Sequence, residues 1–216
     1  MNCTNPFEFF SPRELCFEGS SLLTDAWWAA MTFVSVLNIR ATVNQHCFRK
    51  HDSLESPMLK KCATAYIFAC ALRAILPRRD GERTCFFDSL MSIPLIGRIA
   101  ATVAEIAFGH QLATVLSSLA HKLRCWRTKK VLKIVVPVVS FAQVLCWISV
   151  TTRRQNFHVF EETLWLIMMQ LCGFCSLVLA NELRGTQNRS IQRKLVGGFI
   201  FSACFSLFMA LVDVPM

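Results

Sequence analysis

Three stretches of this chain, residues 134–150, 163–180 and 195–212, contain no Asp, Glu, Lys or Arg. Each is about the length that a helix rising ~1.5 Å per residue needs to cross a hydrocarbon core. A helix on the surface of a soluble domain carries a polar face at 3.6-residue spacing, and these stretches carry none. A chain that is 54% hydrophobic and 17% charged fits either a large soluble core or a membrane bundle. The segregation of charge decides for the bundle.

The earlier half is less uniform. Residues 21–43 carry Asp25 and Arg40, residues 62–76 carry Arg73, and residues 89–120 carry Arg98, Glu105 and His110. These too read as spans, because charges near helix ends snorkel to the interface and deeper ones face the bundle interior. The sequence therefore predicts an all-α polytopic transmembrane helix bundle in one integral membrane domain covering residues 1–216. It has about six spans, at 21–43, 58–76, 89–120, 131–150, 160–182 and 194–213.

A formal charge of +9 would suggest nucleic acid as the partner of a soluble protein. Here the basic residues sit in short connections and follow the positive-inside rule instead. Segments 44–61 (Arg49, Lys50, Lys60, Lys61), 121–133 (Lys122, Arg124, Arg127, Lys129, Lys130, Lys133) and 181–194 (Arg184, Arg189, Arg193, Lys194) hold fourteen basic residues. The alternate segments hold six: Arg13, Arg78, Arg79, Arg83, Arg153 and Arg154. The asymmetry puts the richer set in the cytosol and both termini on the non-cytoplasmic side, with the lipid bilayer rather than nucleic acid as partner. Glu8, Glu14 and Glu18 against Arg13 alone lack the basic start of a cleavable signal peptide, so the first span is expected to be retained.

The eleven cysteines have no regular spacing, which argues for packing rather than a disulfide framework. Cys3, Cys16 and Cys85 fall on the predicted outer side, where a bridge is chemically permitted. Cys172-Gly173-Phe174-Cys175 has redox-dithiol spacing but falls near mid-span, away from the helix N-terminus that such chemistry uses. Gly198, Ser202, Ser206 and Ala210 line small residues at four-residue spacing, a device for close helix approach within the chain or in a homo-oligomer. Pro137 is expected to kink the fourth span and release the carbonyl four residues back.

The third span carries the unusual chemistry. Arg98, Thr102, Glu105 and Gly109 follow helical spacing and share one stripe, which cannot face lipid. With a span starting at residue 89, Arg98 would lie roughly 13 Å below its outer end and Glu105 near the midplane. Asp25, Arg73, Glu161 and Glu162 also fall in the outer half, so an outward-opening polar cavity is expected. Arg98 cannot shed its proton and should pair with a carboxylate, with Glu105, Glu162 and Asp25 as candidates. Arg78, Arg79 and Arg83, in the loop after the second span, form a basic lip suited to a phosphate or carboxylate. Glu161 and Glu162 open the fifth span, where carboxylates complement the helix dipole; the alternative is that Glu162, one turn from Trp165, points inward to Arg98 or Arg73.

No metal site is expected: none of His46, His51, His110, His121 and His158 has a second His or carboxylate at i+3 or i+4 inside a predicted span. There is no phosphate-binding glycine loop, dinucleotide fingerprint or nucleophile elbow, and no cofactor is called for. Lys194, at the cytosolic edge of the last span, is too shallow for a retinal-type Schiff base. The reading that follows is a carrier, channel or receptor binding a small polar or anionic ligand. A membrane enzyme acting on lipid head groups, with Glu105 or Glu162 as acid or base, and a structural or assembly role are the alternatives.

Overall fold

The computed structural model describes residues 22–48, 57–76, 94–152, 154–184 and 188–213. They are helical almost throughout: α1 (Leu22–Phe48), α2 (Pro57–Ile75), α3 (Pro94–Lys122), α4 (Trp126–Leu132), α5 (Val135–Thr152), α6 (Gln155–Glu182) and α7 (Arg189–Phe208), which runs into a π-helical turn, Met209–Asp213. Among the described residues, four segments are long and apolar enough to cross a membrane: Leu95–Lys122, Trp126–Thr152, Gln155–Glu182 and Arg189–Leu211. The chain forms two packing units, Met1–Phe108 and Gly109–Met216.

In the first unit α1 packs on α2. Trp28, Thr32, Ser35, Ile39 and Thr42 recur at three- and four-residue spacing and form the less exposed face of α1, with Ser35 and Thr42 fully buried. Large apolar residues point the other way: Trp27, Phe33, Val34, Val36 and Leu37 are all exposed. Small and hydroxyl-bearing residues inside, bulky hydrocarbon outside, is the packing of helices whose solvent is lipid. The Trp28 indole donates to the Ile75 carbonyl at 3.2 Å, tying the start of α1 to the end of α2. Proline opens both α2 and the described part of α3, where its missing N–H removes no helical bond. On α3, Ala100 and Ala104 bury against Ala69 of α2, so the two backbones approach closely.

In the second unit α6 is the central helix, packed by α4, α5 and α7. Its contact with α7 depends on Gly173. A Cβ there would lie 2.6 Å from Ser202 Oγ and 2.8 Å from Ser202 Cβ, closer than atoms tolerate. Ser202 Oγ donates to the Met169 carbonyl, and Ser206 beside it is also buried. The small-residue stripe of α7 thus turns its middle toward α6, whereas Gly198 and Ala210 at its ends are exposed. Ile200, Phe201, Leu207, Phe208 and Leu211 cover the outside. Gly109 plays the same part for α3 and α5, since a Cβ would meet Val139 Cγ2 at 3.0 Å.

Two chain breaks have clear local causes. At the end of α3 the Cys125 N–H bonds to the Ala120 carbonyl at 2.8 Å and the Arg124 N–H to His121 at 3.2 Å. Arg124 takes φ 58°, the left-handed conformation that this helix-terminating pair of bonds requires and that glycine usually supplies. Between α4 and α5 the chain tightens, with Lys133 and Ile134 donating to residues three back, Lys130 and Val131. The break falls four residues before Pro137, at Lys133, whose carbonyl is the acceptor proline leaves unused. The kink expected early in the fourth span is therefore a helix boundary, with Pro137 in the first turn of α5.

Candidate functional site

The polar residues of the first unit collect where α2 meets α3. Tyr66, Cys70 and Arg73 occupy successive turns of one face of α2, and the Cys70 thiol lies within electrostatic reach of both Arg73 and Glu105. The Tyr66 ring meets Phe108 of α3 with centroids 5.8 Å apart. Ala69 against Ala100 and Ala104, with Tyr66 against Phe108, makes the two helices run antiparallel, so Arg98 lies toward the end of α3 where α2 terminates in Arg73. Asp25, half-buried in the first turn of α1, belongs to the same end, because Trp28 one turn on reaches Ile75. Arg98, Thr102 and Glu105 are half-buried, and each engages a polar or electrostatic partner.

Arg78, Arg79 and Arg83 of the proposed lip, and Cys3, Cys16 and Cys85, lie outside the described residues.

In the second unit the N-terminal turns of α6 bring together His158, Glu161 and Glu162. The His158 Nδ1 is 3.3 Å from Glu161 Oε2 and 3.7 Å from Glu162 Oε1. Glu161 is 3% exposed, while the His158 side chain is half exposed. Three sequence expectations are corrected here. Glu161 and Glu162 do not open the helix: α6 begins at Gln155 after an extended Arg154, and its first turn has no acid, so the dipole argument does not apply to them. The more deeply buried carboxylate is Glu161 rather than Glu162. And His158, which the expected boundaries put before the span, shares the helix and has carboxylates at both i+3 and i+4, so one histidine has a spacing that could hold a metal ion.

At the opposite end of α6 the side chains are those of the basic connections. Burial, and then the Glu182 carboxylate, push the Cys125 thiol pKa up, which places the α3–α4 turn beside the end of α6. Gln192 Nε2 donates to the Ala180 carbonyl at 3.3 Å, bringing the start of α7 to the same place. A cleft of about 340 Å³ opens there between Asn181, Arg184, Gln192 and the aliphatic side chains of Leu177, Val178 and Val196. Lys130 Nζ lies 5.4 Å from the Trp126 ring centroid on neighbouring α4.

Cys70, Tyr66 and His158 are the members of these clusters that the sequence did not single out. Only His158 had a legible signal, its spacing to two glutamates. No family model matches this chain, and neither the curated proteins nor the solved structures contain a match to it.

Proposed function

We propose that the chain is a six-span integral membrane protein with segments 44–61, 121–133 and 181–194 in the cytosol, and that it binds a small polar or anionic ligand from the outer side. The spans α3 and α5–α7 rest on length and composition. For α1, which carries Asp25 and Arg40, support comes from the inside-out face pattern, with Ser35 and Thr42 buried and Phe33, Val34, Val36 and Leu37 exposed. The ligand reading rests on one observation: Arg73 of α2 and Glu105 of α3 both lie within electrostatic reach of the Cys70 thiol, with Arg98 and Asp25 toward the same end. Guanidinium groups held by a packed helix pair offer forked donors to a carboxylate or phosphate, and Glu105 sets the balance of charge.

Thermal stability of the purified protein tests this, with inorganic phosphate, simple carboxylates and phospholipid head groups added in turn. At least one class should raise the melting temperature in a saturable way, and both Arg73→Ala and Arg98→Ala should reduce that shift. No shift from any class, or a shift that both variants retain in full, overturns the reading.

A further inference from the structure

Independently of that reading, we propose that His158, Glu161 and Glu162 bind one divalent transition-metal cation of the zinc class at the N-terminal turns of α6. The three side chains can each turn one ligand atom to a common point, because residues three and four apart share a helix face. His158 Nδ1, Glu161 Oε2 and Glu162 Oε1 already lie within 4.8 Å of one another. The two edges from nitrogen are 3.3 and 3.7 Å. Ligand atoms about 2.1 Å from a tetrahedral zinc are separated by about 3.4 Å, so both edges are close to those of a tetrahedron around such an ion.

The chemistry of the donors favours a cation over a proton as what joins them. A ring nitrogen carries at most one hydrogen and can give it to one carboxylate, yet two carboxylates converge on Nδ1. A dication accepts the nitrogen lone pair and one oxygen from each glutamate, and its charge equals that of the two carboxylates. Glu161, at 3% exposure, is a carboxylate in the setting where coordination offsets the loss of water. The imidazole selects the class of ion: calcium and magnesium take oxygen shells, whereas zinc and its neighbours accept nitrogen with carboxylate. Half-exposed His158 gives the ion a path in and leaves a fourth position for water or an incoming oxygen.

The test uses the full chain in detergent, stripped with chelator and titrated with zinc, with cobalt(II) as a spectroscopic stand-in and magnesium as a control. Zinc should raise the melting temperature with one-to-one stoichiometry while magnesium does not, and cobalt should show the visible absorption of a four- or five-coordinate site. His158→Ala and Glu162→Gln, both altering side chains less buried than Glu161, should each weaken zinc binding by about tenfold or more. Zinc stabilisation that survives unchanged in both variants would mean that other groups, such as the cysteines, hold the metal, and overturns the proposal. So does the absence of any zinc shift or cobalt spectrum in the unaltered protein.

Discussion

Glu161 and Cys125 show how a neighbour on the same helix or across a turn decides what a side chain can do. Glu161 is buried, at 3% exposure, beside the His158 imidazole one helical turn away. At Cys125, burial and the Glu182 carboxylate both disfavour the thiolate. Its pKa is therefore raised, and the reactive thiolate is scarce at neutral pH. In permeabilised cells, a variant retaining Cys125 alone should react slowly with a maleimide at neutral pH. The rate should climb about tenfold per pH unit until the thiol pKa is passed. Glu182→Gln removes the nearby negative charge, lowers the pKa and should speed the reaction at neutral pH; an unchanged rate would show that the carboxylate is not felt. The first was legible in part, as the spacing of His158 to two glutamates, but it depended on where the helix begins; the second joins residues 57 positions apart and was not legible.

Among the elements, the α6–α7 pair is the most tightly specified. Gly173 admits Ser202 where even a methyl group would collide, and Ser202 returns a hydrogen bond to the Met169 carbonyl. Gly173→Ala should destabilise the purified protein by about 1–3 kcal/mol, as overpacking does in a well-packed interior. Because the clash is with both Ser202 Oγ and Cβ, Ser202→Gly should recover part of that loss, giving a non-additive double mutant. Additive losses in detergent melting would place the damage elsewhere. The sequence displayed half of this contact, in the regular spacing of Gly198, Ser202, Ser206 and Ala210. Its partner, Gly173, is a lone glycine whose meaning depends on which helix lies opposite. Helix ends were harder to read: the stop after Lys122 is made by an arginine in a conformation glycine would normally take.

For the whole chain, the uncharged runs and the asymmetry of basic residues were the strongest signals, because the cost of charge in hydrocarbon leaves little freedom in how they are placed. The helical class and the apolar spans of the second half were read from those alone. The charged first half was harder, since its interior faces carry Ser, Thr and Ala while its hydrocarbon points outward, reversing the pattern that identifies a soluble core. In intact cells, variants retaining only Cys47 or only Cys125 should resist a membrane-impermeant maleimide, and should label after permeabilisation at raised pH. Labelling of either from outside would invert the orientation. The docking of Ser202 on α6 also has a consequence in time. Synthesis runs from the N-terminus, so α6 enters the bilayer before α7 exists. When α7 follows, with Arg189, Arg193 and Lys194 in its first turns, Ser202 and Ser206 need not be stranded in lipid, because the α6 surface that receives them has already been made. Assembly of this hairpin is thereby ordered by translation itself, and a chain cut short after α6 would leave the Met169 carbonyl and the groove at Gly173 open for some other helix to fill.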